Sequence, residues 1–377
     1  MTKLVVLSSG FVKREPYLDE LFSDLCQNKK VLIIANAANI NSGNFVNRET
    51  VKKNLLEVGA VSVDIVNLNI VTISTLPKYE VVYIMGGQLK DLVRAVSEVN
   101  FRDVLLKFME QGVVVAEGEG AVVLAEDFKY YYDLHRGVDL RALSEPESYA
   151  GLGFIKYKFF PHFNKQSDIQ KQKIVEYNQE HENGQVTRLS DGDYVLFDDL
   201  EKDEELTLAL DAEGQSTHRF EIKEKIKQEE LCFNIVGLWI INSKGQVLMQ
   251  KRAATKKYNP NKWAICAGHV QAEETLVDAM KREAQEEVGL KLKDEQLINL
   301  IYGKRNNRFY KGFYTFCNND IKTFKIQESE VSEIAWVNFE DVRKAYKKQD
   351  GVYVFEKSEF YDELFKKLAR VIKKFTV

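Results

Sequence analysis

Short apolar runs that do not alternate with polar residues constrain the first half of this chain more than any other feature. Leu4 to Leu7, Lys30 to Ala35, Val81 to Met85 and Val113 to Ala116 each have strand length and no polar face, and Val61 to Val66 reads as a further strand. Between them lie helix-like segments, with Leu18, Leu21, Phe22 and Leu25 at helical spacing and a second helix over Thr50 to Val58. A strand without alternation must bury both faces, which happens in a parallel sheet covered by helices on each side. The expected fold of this half is α/β, a mostly parallel sheet in a sandwich of helices. Ligands of such sheets gather at the carboxyl ends of the strands.

Two strand ends are informative. Met85-Gly86-Gly87-Gln88 places paired glycines just after a strand, where a bare backbone can offer N–H groups to an anion or simply turn. Val113 to Ala121 (VVVAEGEGA) runs from a strand through small residues into a helix, the shape of a nucleophile elbow. With Leu7-Ser8-Ser9, Gly151 to Phe154 and Pro161-His162-Phe163, these pieces resemble the dipeptidase E and cyanophycinase-type serine peptidases over roughly residues 1–200. The resemblance implies a class I glutamine amidotransferase-like sandwich. It carries the elbow motif G-x-S-A-G-A onto Ala116 to Ala121, so the serine position falls on Gly118, which has no side chain to attack with. His162 matches the family's histidine, and Gly86 and Gly87 its oxyanion-hole region. Three roles follow for this half: a fold kept for binding or assembly, a ligand pocket reusing His162, Glu119 and the Gly86-Gly87 amides, or residual serine-type peptidase activity with a substitute hydroxyl. Ser8, Ser9 and Ser144 are the candidate donors, and none occupies the elbow.

Lys223 to Glu230 (KEKIKQEE) is charged and nearly free of apolar residues, and it reads as the join between domains over 1–225 and 231–377. All three tryptophans lie beyond it, as a separate second core requires. In that half Glu283, Glu286 and Glu287 stand at i, i+3 and i+4, on one helical face. A solvated acidic face is one explanation. Three anions so close are better tolerated around a cation, and hard carboxylate oxygens with no Cys or His on the helix suit Mg²⁺ or Mn²⁺ rather than zinc. The flanking residues decide between the two. Gly268, Glu274, Arg282, Glu283, Glu286, Glu287, Gly289 and Leu290 match every fixed position of the Nudix hydrolase signature, with a small Ala284 where a bulky aliphatic is usual.

That resemblance implies an α/β/α sandwich with a mixed sheet and Mg²⁺-dependent cleavage of a diphosphate linkage in a nucleoside diphosphate derivative or related compound. Glu283, Glu286 and Glu287, with the Gly268 carbonyl, would ligate metal. Arg282 would orient the carboxylates and Glu274 support them. Glu328 or Glu330 would complete the metal site, and Glu283 or one of that downstream pair would act as base. Arg252, Lys256 and Lys257 lie in a basic, turn-rich segment that a partly solvated loop explains equally well; with Arg305 and Arg308 after the box, they are candidates for holding substrate phosphates.

Two rivals remain: an isopentenyl diphosphate isomerase-like enzyme, which Asn259 to Trp263 leading into Gly268-His269 resembles, and a non-catalytic ligand-binding regulator. A formal net charge of −4 over 377 residues offers no basic footprint for nucleic acid. Four scattered cysteines and the lack of a long apolar run point to a cytoplasmic protein with no membrane partner. The expected partner is a small-molecule diphosphate, and self-association into a homo-oligomer is left open.

Overall fold

The computed structural model describes residues 2–36, 45–68, 76–98, 101–135, 149–181, 186–198, 200, 206–271 and 274–375. Ser144 lies outside them. The chain separates into two compact units, Met1–Leu206 with Thr217–Ile222, and Thr207–Ser216 with Lys223–Val377.

In the first unit the apolar runs are strands: β1 (Leu4–Leu7), β2 (Lys30–Ile34), β3 (Ser62–Val66), β4 (Val81–Ile84) and β5 (Val113–Glu117). Helices α1 (Pro16–Cys26), α2 (Phe45–Glu57), α3 (Leu89–Glu98) and α4 (Phe101–Phe108) intervene. The strands run in the order β3-β2-β4-β5-β1 and are parallel. Every residue of β1, β4 and β5 is buried, as their lack of a polar face requires. One covering core joins Leu18, Phe22 and Leu25 of α1 and Val51 and Leu55 of α2 to the sheet. After β5 come α5 (Glu119–Val122), α6 (Lys129–His135), β6 (Lys158–Phe160), α7 (Asp168–Glu180), β7 (Val186–Arg188) and β8 (Tyr194–Phe197), the last antiparallel to β1. The sheet is therefore mostly parallel, and β5 ends at its centre, where α5 begins.

The next strand, β9 (Leu206–Leu210), packs with the second unit. Leu210 exchanges backbone hydrogen bonds with Cys232 at 2.7 and 2.8 Å, and the Thr207 hydroxyl donates to the Val270 carbonyl at 2.7 Å. These bonds place 207–216 with the second core, ahead of the charged stretch read as the join. After β10 (Ser216–Ile222), that stretch is itself a helix, α8 (Lys223–Gln228), whose single isoleucine, Ile226, is fully buried against Ala209 and Phe233.

The second unit continues with β11 (Phe233–Ile241), β12 (Gln246–Arg252), β13 (Trp263–Ala264), β14 (Cys266–His269), α9 (Leu276–Val288), β15 (Ile298–Arg305), β16 (Arg308–Phe316), β17 (Val331–Asn338), α10 (Phe339–Lys348) and α11 (Glu359–Phe375). The sheet is mixed: β11 lies parallel to β16 but antiparallel to β14, and β12 antiparallel to β17. Phe339, Val342, Leu364, Phe365 and Leu368 of α10 and α11 cover one face, packed around Trp239. On the other face Ala279, Met280, Ala284 and Val288 of α9 pack against Val236, Leu238 and Phe313. The small Ala284 is fully buried in this layer, so the departure at that position is a packing choice. The result is an α/β/α sandwich with α9 held against the sheet and its acidic edge toward β14.

Candidate active site

Local chemistry sets both ends of α9. The Thr275 side chain accepts from the Asp278 N–H at 3.0 Å, and Gly289 (φ 70°, ψ 20°) takes the left-handed conformation, its N–H capping the carbonyls of the last turn. Within this frame Arg282 sits at the centre of the acidic residues. Its guanidinium donates to Glu274 Oε1 and Oε2 at 2.8 and 3.0 Å, to Glu283 at 2.8 Å, to Glu286 at 2.9 Å and to the His269 carbonyl at 2.8 Å. One cation thus binds three carboxylates and the backbone of β14. The nearly buried setting keeps these charge-assisted bonds strong.

Gly268 has a steric reason. A Cβ there would occupy the space of the Glu283 carboxylate, so only glycine lets that group lie against the strand. Glu287 is deeper, accepting from the Ala267 N–H at 3.0 Å and the Gln250 amide at 2.9 Å. Burial first, and the charge of Glu330 after it, raise its pKa to about 7. Among the downstream pair, Glu330 stands near Glu287 and ion-pairs with Lys256, whereas Glu328 is exposed.

Among the described residues no three of these acids converge as a ready metal cage. Mg²⁺ does not require one, since it keeps several waters and binds through one or two carboxylates plus substrate phosphates. Two observations fit a cation here. Glu287 is a buried carboxylate that makes no ion pair among the described residues, and beside it Gln250 Oε1 is buried with no hydrogen-bond donor. Gln250, on β12, carries no motif; only sheet register brings it here.

The candidate phosphate-binding cations divide. Arg252 donates to the Tyr258 carbonyl at 3.1 Å, Lys256 is tied to Glu330, and Arg305 is held by Glu356 at 2.7 Å. Lys257 stands 3.6 Å from Glu224. Arg308 makes neither an ion pair nor a side-chain hydrogen bond among the described residues, and its Nε is buried without a partner. Cys266 points into the core beneath α9, where burial first and the nearby Glu287 next push its thiol well above the ordinary range.

In the first unit the β5–α5 turn is strained as an elbow demands. Gly118 has φ 52° and ψ −124°, and a Cβ placed on it would lie 3.6 Å from His162 Nε2. His162 Nδ1 pairs with Asp191 Oδ1 at 2.6 Å, a partner that sequence reasoning missed because Asp191 and Asp193 flank Gly192 with nothing local to distinguish them. Burial lowers the His162 pKa, but the Asp191 hydrogen bond and the Glu119 charge outweigh it, for a net rise. Ser8 has a structural role: its hydroxyl donates to the Leu189 carbonyl at 2.8 Å and accepts from the His162 N–H at 2.9 Å. The glycine amides are engaged, Gly86 N–H by Glu117 at 3.2 Å and Gly87 N–H by Glu119 at 2.9 Å. Tyr83 also donates to Glu117, whose pKa burial raises to about 7 against that bond's pull.

A parallel α/β unit with an elbow and a mixed-sheet sandwich with an Arg-centred acidic helix define a chain built from two hydrolase-type folds. Comparison with known proteins agrees. The peptidase family S51 model matches residues 4–204 and the NUDIX domain model residues 233–357. Isopentenyl-diphosphate Delta-isomerase 2 of Photorhabdus laumondii is 30% identical over 135 residues, 35% of this chain and 76% of that protein. An uncharacterized Nudix hydrolase of Listeria monocytogenes is 32% identical over 124 residues, 32% of this chain and 70% of that protein. A solved putative peptidase E from Listeria monocytogenes is 20% identical with a TM-score of 0.42, covering 52% of this chain and 95% of its own. The chain belongs to peptidase family S51 through its first unit and to the Nudix hydrolase family through its second, which makes it an enzyme of the Nudix type. No helix among the described residues is long and apolar enough to cross a membrane.

Proposed function

We propose that the second unit hydrolyses a diphosphate linkage in a nucleoside diphosphate derivative or a related small molecule, using Mg²⁺ or Mn²⁺. The observation that carries this reading is the Arg282-centred cluster, which holds Glu283 and Glu286 at the acidic edge of α9 beside the buried Glu287. Glu283, Glu286 and Glu287, with the Gly268 carbonyl, would hold the metal. When bound, it would offset diphosphate charge and lower the pKa of an attacking water. Arg282 keeps the carboxylates in place, and Glu274 fixes Arg282 through two hydrogen bonds. Glu330, half-buried near Glu287, accepts the proton that the water loses. The test is Mg²⁺-dependent product release across a panel of nucleotide sugars, dinucleotides and isoprenoid diphosphates. Glu286→Gln and Glu283→Gln should each lower kcat at least about 100-fold, following the usual cost of losing one electrostatic contact to the transition state. Unchanged turnover would refute the assignment.

The relative named as an isomerase brings in the second reading, which needs a thiol within reach of substrate. Cys266 is buried under α9, and Cys232 is buried beside Leu210 and Phe309, so neither supports it. Released phosphate against isomerised allyl diphosphate separates the two readings. For the first unit we propose a binding or structural role rather than peptidase activity. A glycine stands at the elbow, the candidate oxyanion amides already bind Glu117 and Glu119, and Ser8 is committed to backbone contacts. All four cysteines are free thiols, which supports a cytoplasmic setting.

A further inference from the structure

We infer that Lys223, Lys227, Lys257 and Arg308 form an anion subsite beside the carboxylate helix, one that takes a phosphate group of the substrate other than the pair being cleaved. The inference rests on the diphosphate-cleaving reading and narrows it to substrates with a further phosphate, such as an extended polyphosphate chain or a phosphorylated moiety.

Tertiary structure assembles the cluster from three separate segments: α8 supplies Lys223 and Lys227, the loop after β12 supplies Lys257, and the start of β16 supplies Arg308. Two aromatic rings gather three of the four, and Lys223 acts on Lys227 from one turn earlier on α8. Arg308 and Lys227 lie over the Phe233 ring at 5.8 and 5.9 Å, while Lys227 and Lys257 lie over the Tyr258 ring at 4.9 and 5.5 Å. With the ring faces engaged by side-chain cations, the site is built for charge rather than for stacking a base.

The charges acting most strongly on Lys227 are the cations Arg308, Lys223 and Lys257 and the acid Glu224. Four cations thus gather in a chain whose formal net charge is −4, with Glu224 acting on Lys227 and Glu356 on Arg308 as the acids. Burial first and the charge of Arg308 next lower the pKa of Lys227, and burial first and the charge of Arg305 next lower that of Arg308. An arrangement that repels itself is stable when an anion occupies it. An independent observation is the Arg308 Nε, a buried donor with no acceptor, which a phosphate oxygen would satisfy.

The cluster borders the candidate active site by direct contact. The Phe233 ring lies 5.4 Å from the His269 ring, and the His269 carbonyl accepts from Arg282 at 2.8 Å. One extended ligand can therefore reach both the cations and the carboxylate helix.

The test is titration of the full chain with inorganic tripolyphosphate in EDTA, read by calorimetry, with orthophosphate as the single-group comparison. Lys227→Gln and Arg308→Gln should each weaken tripolyphosphate binding about 10- to 100-fold, the loss expected for a charge-assisted contact. Lys227 is half-buried on α8, outside the sheet, so its substitution tests the idea even if Arg308→Gln disturbs β16. Glu286→Gln should leave metal-free binding intact while removing Mg²⁺-dependent turnover, so the failure of one reading is separable from failure of the other. Absence of tripolyphosphate binding, binding unchanged in both variants, or equal affinity for orthophosphate would overturn the inference.

Discussion

Arg282→Met removes the cation but keeps most of the volume, which isolates the electrostatic role of the residue. In the native structure the Arg282 side chain is 10% exposed, and those of Glu274 and Glu283 are 8% and 11% exposed. Two nearly buried carboxylates would lose their counter-ion together with five hydrogen bonds. Breaking a buried pair by deleting one partner costs about 3–5 kcal/mol, because a charge is left without compensation. For a domain of this size that is about 6–20 °C in Tm. All three tryptophans lie in the second unit, so tryptophan fluorescence follows its unfolding alone. In EDTA at neutral pH the variant should melt lower by that interval. Mg²⁺ at one hundred times its Kd should return about 2.7 kcal/mol. A fluorescence transition within 2 °C of the native protein in EDTA, on the scale of a surface substitution, would refute the claim that Arg282 holds these carboxylates together.

Three further outcomes follow from the same geometry. Glu117 is raised from 4.5 to about 7, so the folded first unit binds the extra proton. Its stability should be full below pH 4.5 and fall by about 3 kcal/mol as pH rises to 7 and above; circular dichroism melts between pH 5 and 8 should show this loss, and Glu117→Gln should remove it. Gly118→Ser alone should not hydrolyse acidic dipeptides, because the Gly87 amide still binds Glu119. Gly118→Ser with Glu119→Ala should gain activity that His162→Ala abolishes; hydrolysis by the single variant would contradict the blocked-amide account. Gly268→Ala drives a methyl into the Glu283 carboxylate and should lower turnover about 100-fold, the cost of displacing a catalytic group by about 1 Å; unchanged kcat would refute the packing argument.

What the sequence determined by itself is the local part. The buried parallel strands, the Thr275 and Gly289 caps and the one-face spacing of Glu283, Glu286 and Glu287 depend on neighbours within a turn or on side-chain period, and such signals survive in one dimension. Arg282 was legible for the same reason: its carboxylate partners on α9 lie one and four residues away. The remaining features join residues far apart in the chain. Gln250 meets Glu287 across 37 residues because β12 and α9 share one layer contact, and Asp191 reaches His162 from another loop. The choice of Glu330 over Glu328 and the unpartnered Nε of Arg308 likewise depend on packing. Charge alone made Arg252, Lys256, Lys257, Arg305 and Arg308 equivalent. Only the fold decided which already had partners, and it added Lys223 and Lys227 from a stretch that reads as a plain linker because its one buried anchor, Ile226, gives no periodic signal.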